Sequence, residues 1–342
     1  MTDKSAVLNT ESIVQDILNS IEREREREII ARRYGLFDRK ETLEQIGELL
    51  GITRERVRQL EKSVMTKLRM SGAELPHITE VEAAVAAALT EAGETARITN
   101  LASTLTAENT RTDQSRLAFL TELCPNISVI SEDDSYFQAA GNTTAHDDKK
   151  MKQEVEQIVA AIKKAGSPVS SKEMAKLASM EAESYAVALA TISKKLATLN
   201  GRWGLVKWPT VNPKNIRDKI YVILSENNRH MHFNEISEAI KASDFKRKDV
   251  TTQAIHNELI KDKRFVLIGR GIYALSEWGY NKGTVADIIA EVLREAKEPL
   301  HRDEIVKRVL KSRFVKETTI LLNLQSKPQF KRVAKATYEL SE

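Results

Sequence analysis

Four polar side chains, Arg54, Glu55, Arg58 and Gln59, are spaced so that they share one face of a helix. Arginine can donate two parallel hydrogen bonds to the edge of a guanine, and glutamine can pair in a similar way with an adenine. Both contacts form in the major groove of duplex DNA, which is wide enough to admit an α-helix. The spacing therefore predicts a helix that contacts base edges.

The surrounding stretch, Thr42 to Arg69, predicts two helices joined by a tight turn. Gly51 tolerates the left-handed backbone that a sharp helix stop requires, and Thr53 is suited to cap the helix that follows. Each helix carries an apolar stripe that can pack on the other helix. The stripes are Leu43, Ile46 and Leu50, and then Val57, Leu60, Val64 and Leu68. This pattern favours a helix-turn-helix whose second helix contacts DNA; the alternative is a helix-turn-helix that only packs or dimerises.

Residues 22–69 resemble the fourth conserved region of the sigma-70 family of bacterial sigma factors. The resemblance rests on the segments REREIIARRYGL and TLEQIGELLGITRERVRQLEKSVMTKLR. It implies contact with promoter-like double-stranded DNA and with the β flap of RNA polymerase. The implied base contacts are Arg54, Glu55, Arg58 and Gln59, and the implied phosphate contacts are Arg25, Arg33, Thr42 and Arg56. The family usually carries more basic residues where this chain has Ser63 and Thr66.

The composition favours a helix-rich chain with several small cores, because the 342 residues are 41% hydrophobic but only 5% aromatic. Cys124 is the only cysteine, which excludes disulfide frameworks and thiolate metal clusters. The sequence has no glycine-rich phosphate loop, nucleophile elbow or metal-binding histidine motif. We therefore expect no cofactor, no metal and no enzyme activity. No apolar run approaches the length of a membrane span, and we expect a cytoplasmic, nucleoid-associated protein without a membrane partner.

Beyond Pro76 the sequence contains four similar segments. In each, apolar residues recur at intervals of 7, 5 and 4, which suits a helix, a short turn with one buried residue, and a second helix. Each segment ends in two apolar stretches around a polar turn, which indicates a β-hairpin. The four series start at Leu89, Ile162, Leu224 and Leu293. We predict a mainly α protein with small β-hairpin wings, in which an N-terminal helix-turn-helix precedes an array of four winged-helix domains.

The turns between these patterns give five predicted domains. They are 1–71, a sigma region 4-like helix-turn-helix; 76–141, an acidic winged helix; 149–210, a basic winged helix; 211–280, a third winged helix; and 281–342, a C-terminal one. We call the last four the first to fourth repeats. Within the first domain, Thr10 to Arg33 is predicted to be one helix.

The third repeat resembles the HARE-type winged helix, which is known from the delta subunit of bacterial RNA polymerase. The resemblance covers Asn212 to Tyr280 and rests on NPKNIRDKIYVILSENNRHMHFNEISEAI and FVLIGRGIYALSEWGY. The fourth repeat is a weaker relative. This resemblance implies contact with nucleic acid or with polymerase.

Charge distinguishes the repeats. The first contains three basic and ten acidic residues, and a net charge of −7 is repelled by phosphates, so we assign it to protein contact or spacing. The other three can contact DNA. In the third repeat the possible DNA contacts are Lys246, Arg247, Lys248, Thr252, Gln253 and, at the wing tip, Arg270. Comparable positions in the second repeat are Ser184, Tyr185, Ser193, Lys194 and Lys195. The alternative for both sets is a solvated helix face.

These patterns predict a sigma-like, DNA-binding bacterial transcription factor that acts in initiation, or in its regulation, together with RNA polymerase. A complete sigma factor also needs an aromatic-rich region that melts the promoter. The chain has few aromatic residues and no such stretch, so we expect no autonomous promoter melting. Two alternatives remain open: a structural, delta-like polymerase subunit, and the DNA-specificity module of a restriction-modification system.

Overall fold

A computed structural model describes residues 7–143, 147–245, 247, 249–280 and 283–341. Within these ranges the chain forms sixteen α-helices and four small antiparallel sheets of three strands each. This confirms the prediction of a mainly α fold with small hairpin wings. The chain divides into two compact units, residues 1–207 and 208–342.

The N-terminal part of the first unit contains four helices. They are α1 (Thr10–Asn19), α2 (Glu24–Tyr34), α3 (Leu43–Leu50) and α4 (Arg54–Ser71). The prediction of one helix from Thr10 to Arg33 is wrong, because the chain turns between α1 and α2. The Ser20 hydroxyl donates to the Ile17 carbonyl at 2.6 Å and ends α1, and Ile21 turns into the core.

All four repeats have the same order of elements: helix, short strand, helix, helix, hairpin. The first repeat consists of α5 (Ile78–Ala92), β1 (Thr95–Arg97), α6 (Ile98–Leu105), α7 (Arg111–Leu123), β2 (Ile127–Ile130) and β3 (Ala139–Asn142). The second consists of α8 (Asp148–Ala165), β4 (Val169–Ser170), α9 (Ser171–Leu177), α10 (Glu183–Ile192), β5 (Leu196–Leu199) and β6 (Arg202–Leu205).

The second unit contains the other two repeats. The third consists of α11 (Ile216–Asn227), β7 (Met231–His232), α12 (Phe233–Ala242), α13 (Thr252–Lys261), β8 (Phe265–Gly269) and β9 (Ile272–Leu275). The fourth consists of α14 (Val285–Ala296), β10 (Leu300–His301), α15 (Arg302–Ser312), α16 (Glu317–Ser326), β11 (Phe330–Ala334) and β12 (Thr337–Leu340).

The four apolar series predicted from the sequence form the cores of the repeats, since all sixteen of their residues are buried. The second residue of each series lies in a strand rather than in a plain turn. These residues are Ala96 in β1, Val169 in β4, Met231 in β7 and Leu300 in β10. Each short strand pairs with the last strand of its repeat, so the sheet has three strands where the sequence predicts two.

The N-terminal helices and the first repeat share one apolar core. Ile17 of α1, Leu68 of α4, Val85 of α5 and Leu117 of α7 all belong to the same buried cluster, which extends from Leu8 to Ala140. A separate small cluster holds the helix-turn-helix together and consists of Ile29, Ile46 and Val57, with Leu43, Leu50, Ile52 and Leu60 packed around it. The recognition-helix candidate α4 is therefore fixed at its N-terminal end by one cluster and at its C-terminal end by the other.

The third helix of the second repeat packs against the first repeat. A Cβ atom added to Gly93 would lie 2.8 Å from the Ser184 carbonyl of α10, so the two backbones touch. The Phe137 N–H donates to the Ile192 carbonyl at 2.9 Å, and Ser193 is fully buried. The helix α10, ESYAVALATI, buries small apolar residues on more than one side, so much of its surface is used in packing.

Candidate nucleic-acid interface

The turn between α3 and α4 is closed by two glycines. Gly51 has a left-handed φ of 64°, which stops α3, and the Ile52 N–H then donates to the Gly47 carbonyl at 2.9 Å. A Cβ atom on Gly47 would lie only 2.7 Å from the Ile52 carbonyl oxygen. A residue without a side chain is therefore required at position 47 for the turn to fold back on α3.

Both helices of the motif begin with a threonine cap. The Thr42 hydroxyl accepts from the Gln45 N–H while the Gln45 side chain accepts from the Thr42 N–H, which makes a capping box. The Thr53 hydroxyl accepts from the Arg56 N–H at 3.3 Å. These caps set where α3 and α4 start, and so they determine which residues occupy the first two turns of α4.

Those first turns expose the four predicted base-contacting residues together. Val57 is fully buried against Ile29 and Ile46, so the opposite side of α4 faces solvent. Arg54, Glu55, Arg58 and Gln59 are all exposed.

The exposed face is organised around the Glu55 carboxylate. Arg58 donates two hydrogen bonds to it, at 2.8 and 2.6 Å, and the Gln59 amide donates a third at 3.4 Å. These contacts lower the pKa of Glu55, with the Arg58 hydrogen bond as the main cause, and raise the pKa of Arg58. Arg54 pairs separately with Glu44 of α3 at 3.0 Å. The guanidinium and amide donors thus lie side by side on a surface that a base edge can approach.

The predicted phosphate-contacting residues make contacts within the motif. Arg25 donates to the Leu50 carbonyl at 2.5 Å, at the end of α3. Arg33 donates to Glu61 at 3.3 Å and to the Glu41 carbonyl at 3.4 Å. The Thr42 hydroxyl serves as the cap of α3, and Arg56 donates to Gln59 at 3.4 Å. Arg25 and Arg56 are exposed, whereas Arg33 is half-buried.

The candidate contacts of the third repeat are spread along α13 and the wing. Lys246 and Lys248 lie outside the described residues. Arg247 is exposed, and its carbonyl accepts from the buried Lys219 at 2.7 Å. The Thr252 hydroxyl lies 3.3 Å from that of Ser237, and the Gln253 amide donates to Asn257 at 3.1 Å. Arg270 is exposed at the tip of the β8–β9 hairpin.

Of the corresponding residues of the second repeat, Ser184 is exposed and Ser193 is buried, and the other three make contacts within the chain. Tyr185 donates to Glu154, Lys194 pairs with Glu132 at 2.7 Å, and Lys195 pairs with Glu156 at 2.5 Å. These side chains tie α10 to its surroundings, so the structure does not bring them together as a free surface.

Sequence reasoning missed a basic groove beside the helix-turn-helix. It is lined by Arg39 and Lys40 from the α2–α3 loop and by Arg97 and Arg111 from the first repeat. No spacing pattern reveals it, because these residues come from segments far apart in the chain.

Among the described residues, no group of three or more histidine, cysteine, aspartate or glutamate side chains is arranged to hold a metal ion. In the same part of the chain, no helix is long and apolar enough to cross a membrane.

The geometry around α3 and α4 defines a class: a helix-turn-helix whose second helix exposes arginine and glutamine donors on one face. Comparison with known families is more specific. Residues 23–70 match the family model described as Sigma-70, region 4. This match confirms the sigma-like resemblance of the N-terminal segment.

Curated relatives match the same part of the chain. RNA polymerase sigma factor SigA1 of Synechococcus elongatus is 54% identical over 46 residues, which are 13% of this chain and 12% of that protein. RNA polymerase sigma factor SigA of a Bacillus species is 44% identical over 57 residues, or 16% of this chain and 15% of that protein. The SigA of a Nostoc species is 46% identical over 57 residues, with coverages of 16% and 14%. The chain thus spans only about a seventh of the length of these relatives.

Proposed function

We propose that this protein is a sigma-like, DNA-binding bacterial transcription factor whose α4 contacts base edges in a promoter-like duplex. One observation carries the proposal: the four polar residues of the first turns of α4 are exposed together in a segment that matches Sigma-70 region 4. The base contacts are Arg54, Glu55, Arg58 and Gln59.

The proposal assigns the phosphate contacts to residues around the base-contacting face. They are Arg25, Arg33, Thr42 and Arg56 in the helix-turn-helix. Further DNA contacts, to phosphates or to bases, are proposed in the third repeat at Arg247, Thr252, Gln253 and Arg270. Phosphate contacts position a protein on the duplex without specifying sequence. Replacing any one of them should therefore weaken binding about equally on all sequences.

We further propose that the protein acts with RNA polymerase in the nucleoid and catalyses no reaction. The names of the relatives support the polymerase partner, since all three are RNA polymerase sigma factors. The burial of α10 in the first unit favours protein packing as the role of part of the repeat array. A structural polymerase subunit would bury such a helix as well. The experiments must therefore distinguish a structural subunit from a DNA-binding transcription factor.

Arg58→Ala tests the base contact directly. It should cost about 1–3 kcal/mol on the preferred duplex and relax the preference at one base position, because a paired donor to a base edge is lost. The preferred duplex is first selected from a random library with the full chain, and the affinities are then measured by fluorescence anisotropy. A matched control is Arg308→Ala, which removes a partly exposed arginine paired with Glu304 at 2.8 Å on α15. Equal losses on selected and random duplexes would contradict the base-contacting role.

Affinity purification of the native protein tests the partner, together with mapping of its genomic occupancy. RNA polymerase subunits and discrete occupied sites are the expected result. Polymerase without any sequence preference would instead support the structural subunit, and a nuclease or methyltransferase without polymerase would support a restriction-modification module.

A further inference from the structure

A groove of about 630 Å³ lies next to the helix-turn-helix in the first unit. One wall is the α2–α3 loop, which contributes Arg39 and Lys40. The other consists of the end of β1, which contributes Arg97, and the first turns of α6 and α7, the latter contributing Arg111. Four basic side chains from two distant segments therefore face one space.

Three of these cations have no partner among the residues that the structure describes. The side chains of Arg39, Lys40 and Arg111 are exposed, and they form no ion pair or hydrogen bond within the part of the chain that the structure describes. The groove also contains two acidic residues, Asp38 and Glu132, of which Glu132 is paired with Lys194 at 2.7 Å. The balance is positive, and unpaired cations in a concave site attract an anion.

The walls of the groove are held in place by other contacts. Arg116, only 8% exposed, donates from α7 to the Leu36 carbonyl of the loop at 2.7 Å and pairs with Glu11 at 2.9 Å. Arg97 lies 3.7 Å from the centre of the Phe137 ring and donates to the Thr191 carbonyl. A ligand would therefore meet a groove that is already formed.

The start of α6 adds partial positive charge. This eight-residue helix has no side-chain cap at its N-terminus, and its first residues, Ile98 and Thr99, line the groove. The Ile98 N–H already donates to the Gln138 carbonyl at 3.0 Å, so it is the positive end of the helix dipole and the N–H groups after Ile98 that favour a phosphate oxygen.

We propose that this groove binds backbone phosphates of the same DNA duplex whose bases α4 contacts. The proposal rests on the proposed function and extends it, because it makes the acidic first repeat part of the DNA-binding surface. Continuity of the chain favours DNA over other anions: Lys40 lies two residues before Thr42, the cap of α3 and a predicted phosphate contact. The loop wall of the groove therefore adjoins the start of α3 and the phosphate contact proposed there.

The test replaces Arg39 and Arg111 together by alanine in the full chain. Both side chains are exposed and unpaired, so the fold should be unaffected, which circular dichroism and thermal unfolding can verify. Dissociation constants are measured on the selected duplex between 50 and 200 mM salt. Loss of two phosphate contacts should reduce the slope of log affinity against log salt concentration by about 1.8 in magnitude. The ratio of wild-type to variant affinity should therefore fall roughly tenfold between 50 and 200 mM salt. The base preference should remain unchanged.

The control is Lys163→Ala with Lys164→Ala, which removes the same formal charge from two exposed residues at the end of α8. It should leave the salt slope at its wild-type value. A second control shortens the duplex by removing flanking base pairs stepwise from one end. This should abolish the difference in salt slope between wild type and the Arg39/Arg111 variant. A variant with the wild-type slope and affinity would overturn the proposal.

Two further results separate the possible failures. If inorganic tripolyphosphate binds the wild type and not the variant while DNA affinity is equal in both, the groove takes a free polyphosphate and the DNA assignment is wrong. If Arg58→Ala leaves the base preference intact while the Arg39/Arg111 variant loses salt-dependent affinity, the groove proposal stands and the base-contacting role of α4 fails.

Discussion

The Glu55–Arg58 pair shows how one face can be ordered before DNA arrives. Both side chains are more than half exposed, so solvent screens this ion pair and it adds little to stability. Opening or sharing the pair on a base edge therefore costs little. The two hydrogen bonds from Arg58 lower the pKa of Glu55, and they fix the Arg58 guanidinium against that carboxylate. We infer that the pair orients Arg58 rather than stabilises α4.

A second charged cluster is buried more deeply and should affect stability. Arg264 donates to Asp262 at 2.8 Å and to Asp218 at 3.2 Å, and it packs beside the ring of Tyr221. The hydrogen bond from Arg264 lowers the pKa of Asp262, whose side chain is 11% exposed. Asp262→Asn should thus destabilise the third repeat by about 1 kcal/mol near neutral pH, a value reduced from that of a fully buried charged hydrogen bond because Arg264 is partly solvated.

The pH dependence of that loss has a defined sign. Because the folded pKa of Asp262 lies below the unfolded value of about 3.9, the stabilisation is complete above that value and disappears as the pH falls through the folded pKa. Urea unfolding at pH 7 and at pH 3 should therefore show a difference between wild type and Asp262→Asn that shrinks in acid. Exposed Asp249→Asn is the control. A pH-independent difference would mean that Asp262 acts through shape and not through charge.

At the scale of single residues, the sequence predicts which side chains are exposed and which are buried wherever helix periodicity decides it. The exposure of Arg54, Glu55, Arg58 and Gln59 on one face follows from helix geometry once Val57 is assigned to the core. Their partners do not follow, because Glu44 reaches Arg54 across the turn and depends on how α3 and α4 cross. The Arg39–Arg111 groove depends on tertiary packing alone.

Among the elements, the repeated apolar intervals predict the buried residues of all four repeats. They do not reveal the short strands β1, β4, β7 and β10, because a strand of two or three residues has too few positions to show alternation. The break between α1 and α2 is also hidden, since the Glu–Arg alternation from Glu22 is compatible with helix on both sides of it. The sequence does not predict the burial of α10, because small residues such as its alanines are compatible with a solvated helix as well as with a packed one.

The α3–α4 turn offers a sharp test of an element. Gly47→Val should destabilise the helix-turn-helix by about 1–3 kcal/mol, because the new side chain must displace the Ile52 carbonyl, only 2.7 Å from the position of its Cβ. Hydrogen exchange in α3 and α4 should quicken and the base preference should weaken. Gly51→Ala is the informative comparison: it meets no atom within 4 Å, so it should cost only about 1 kcal/mol of left-handed backbone strain. Equal effects of the two changes would contradict close packing at Gly47.

At the scale of the whole molecule, counting charges by segment proved to be a poor guide to surface charge. The first repeat has a net charge of −7, yet two of its three basic residues, Arg97 and Arg111, lie in the groove with two cations of the α2–α3 loop. The third, Arg116, holds that loop in place. A surface formed by two segments has a charge that neither segment has alone, and only the packing of the first unit shows it.

That packing also predicts how the first unit unfolds. Leu117 is fully buried in the cluster shared by α1, α4, α5 and α7, so Leu117→Ala should cost about 2–5 kcal/mol through lost burial and the cavity left behind. Because the cluster is continuous, amide exchange should accelerate together in α1 and in the first repeat, and the change should be measurable by mass spectrometry of the full chain.

The matched control is Leu224→Ala, an equally buried leucine in α11 of the second unit. It should accelerate exchange in the third repeat and leave α1 and α7 at their wild-type rates, because the cores of the second unit are built from its own residues. If Leu117→Ala loosens the first repeat while α1 and α4 stay protected, the helix-turn-helix folds independently of the repeat beside it. In that case the groove would lie between two separately stable domains, and no common core would fix the positions of its cations relative to one another.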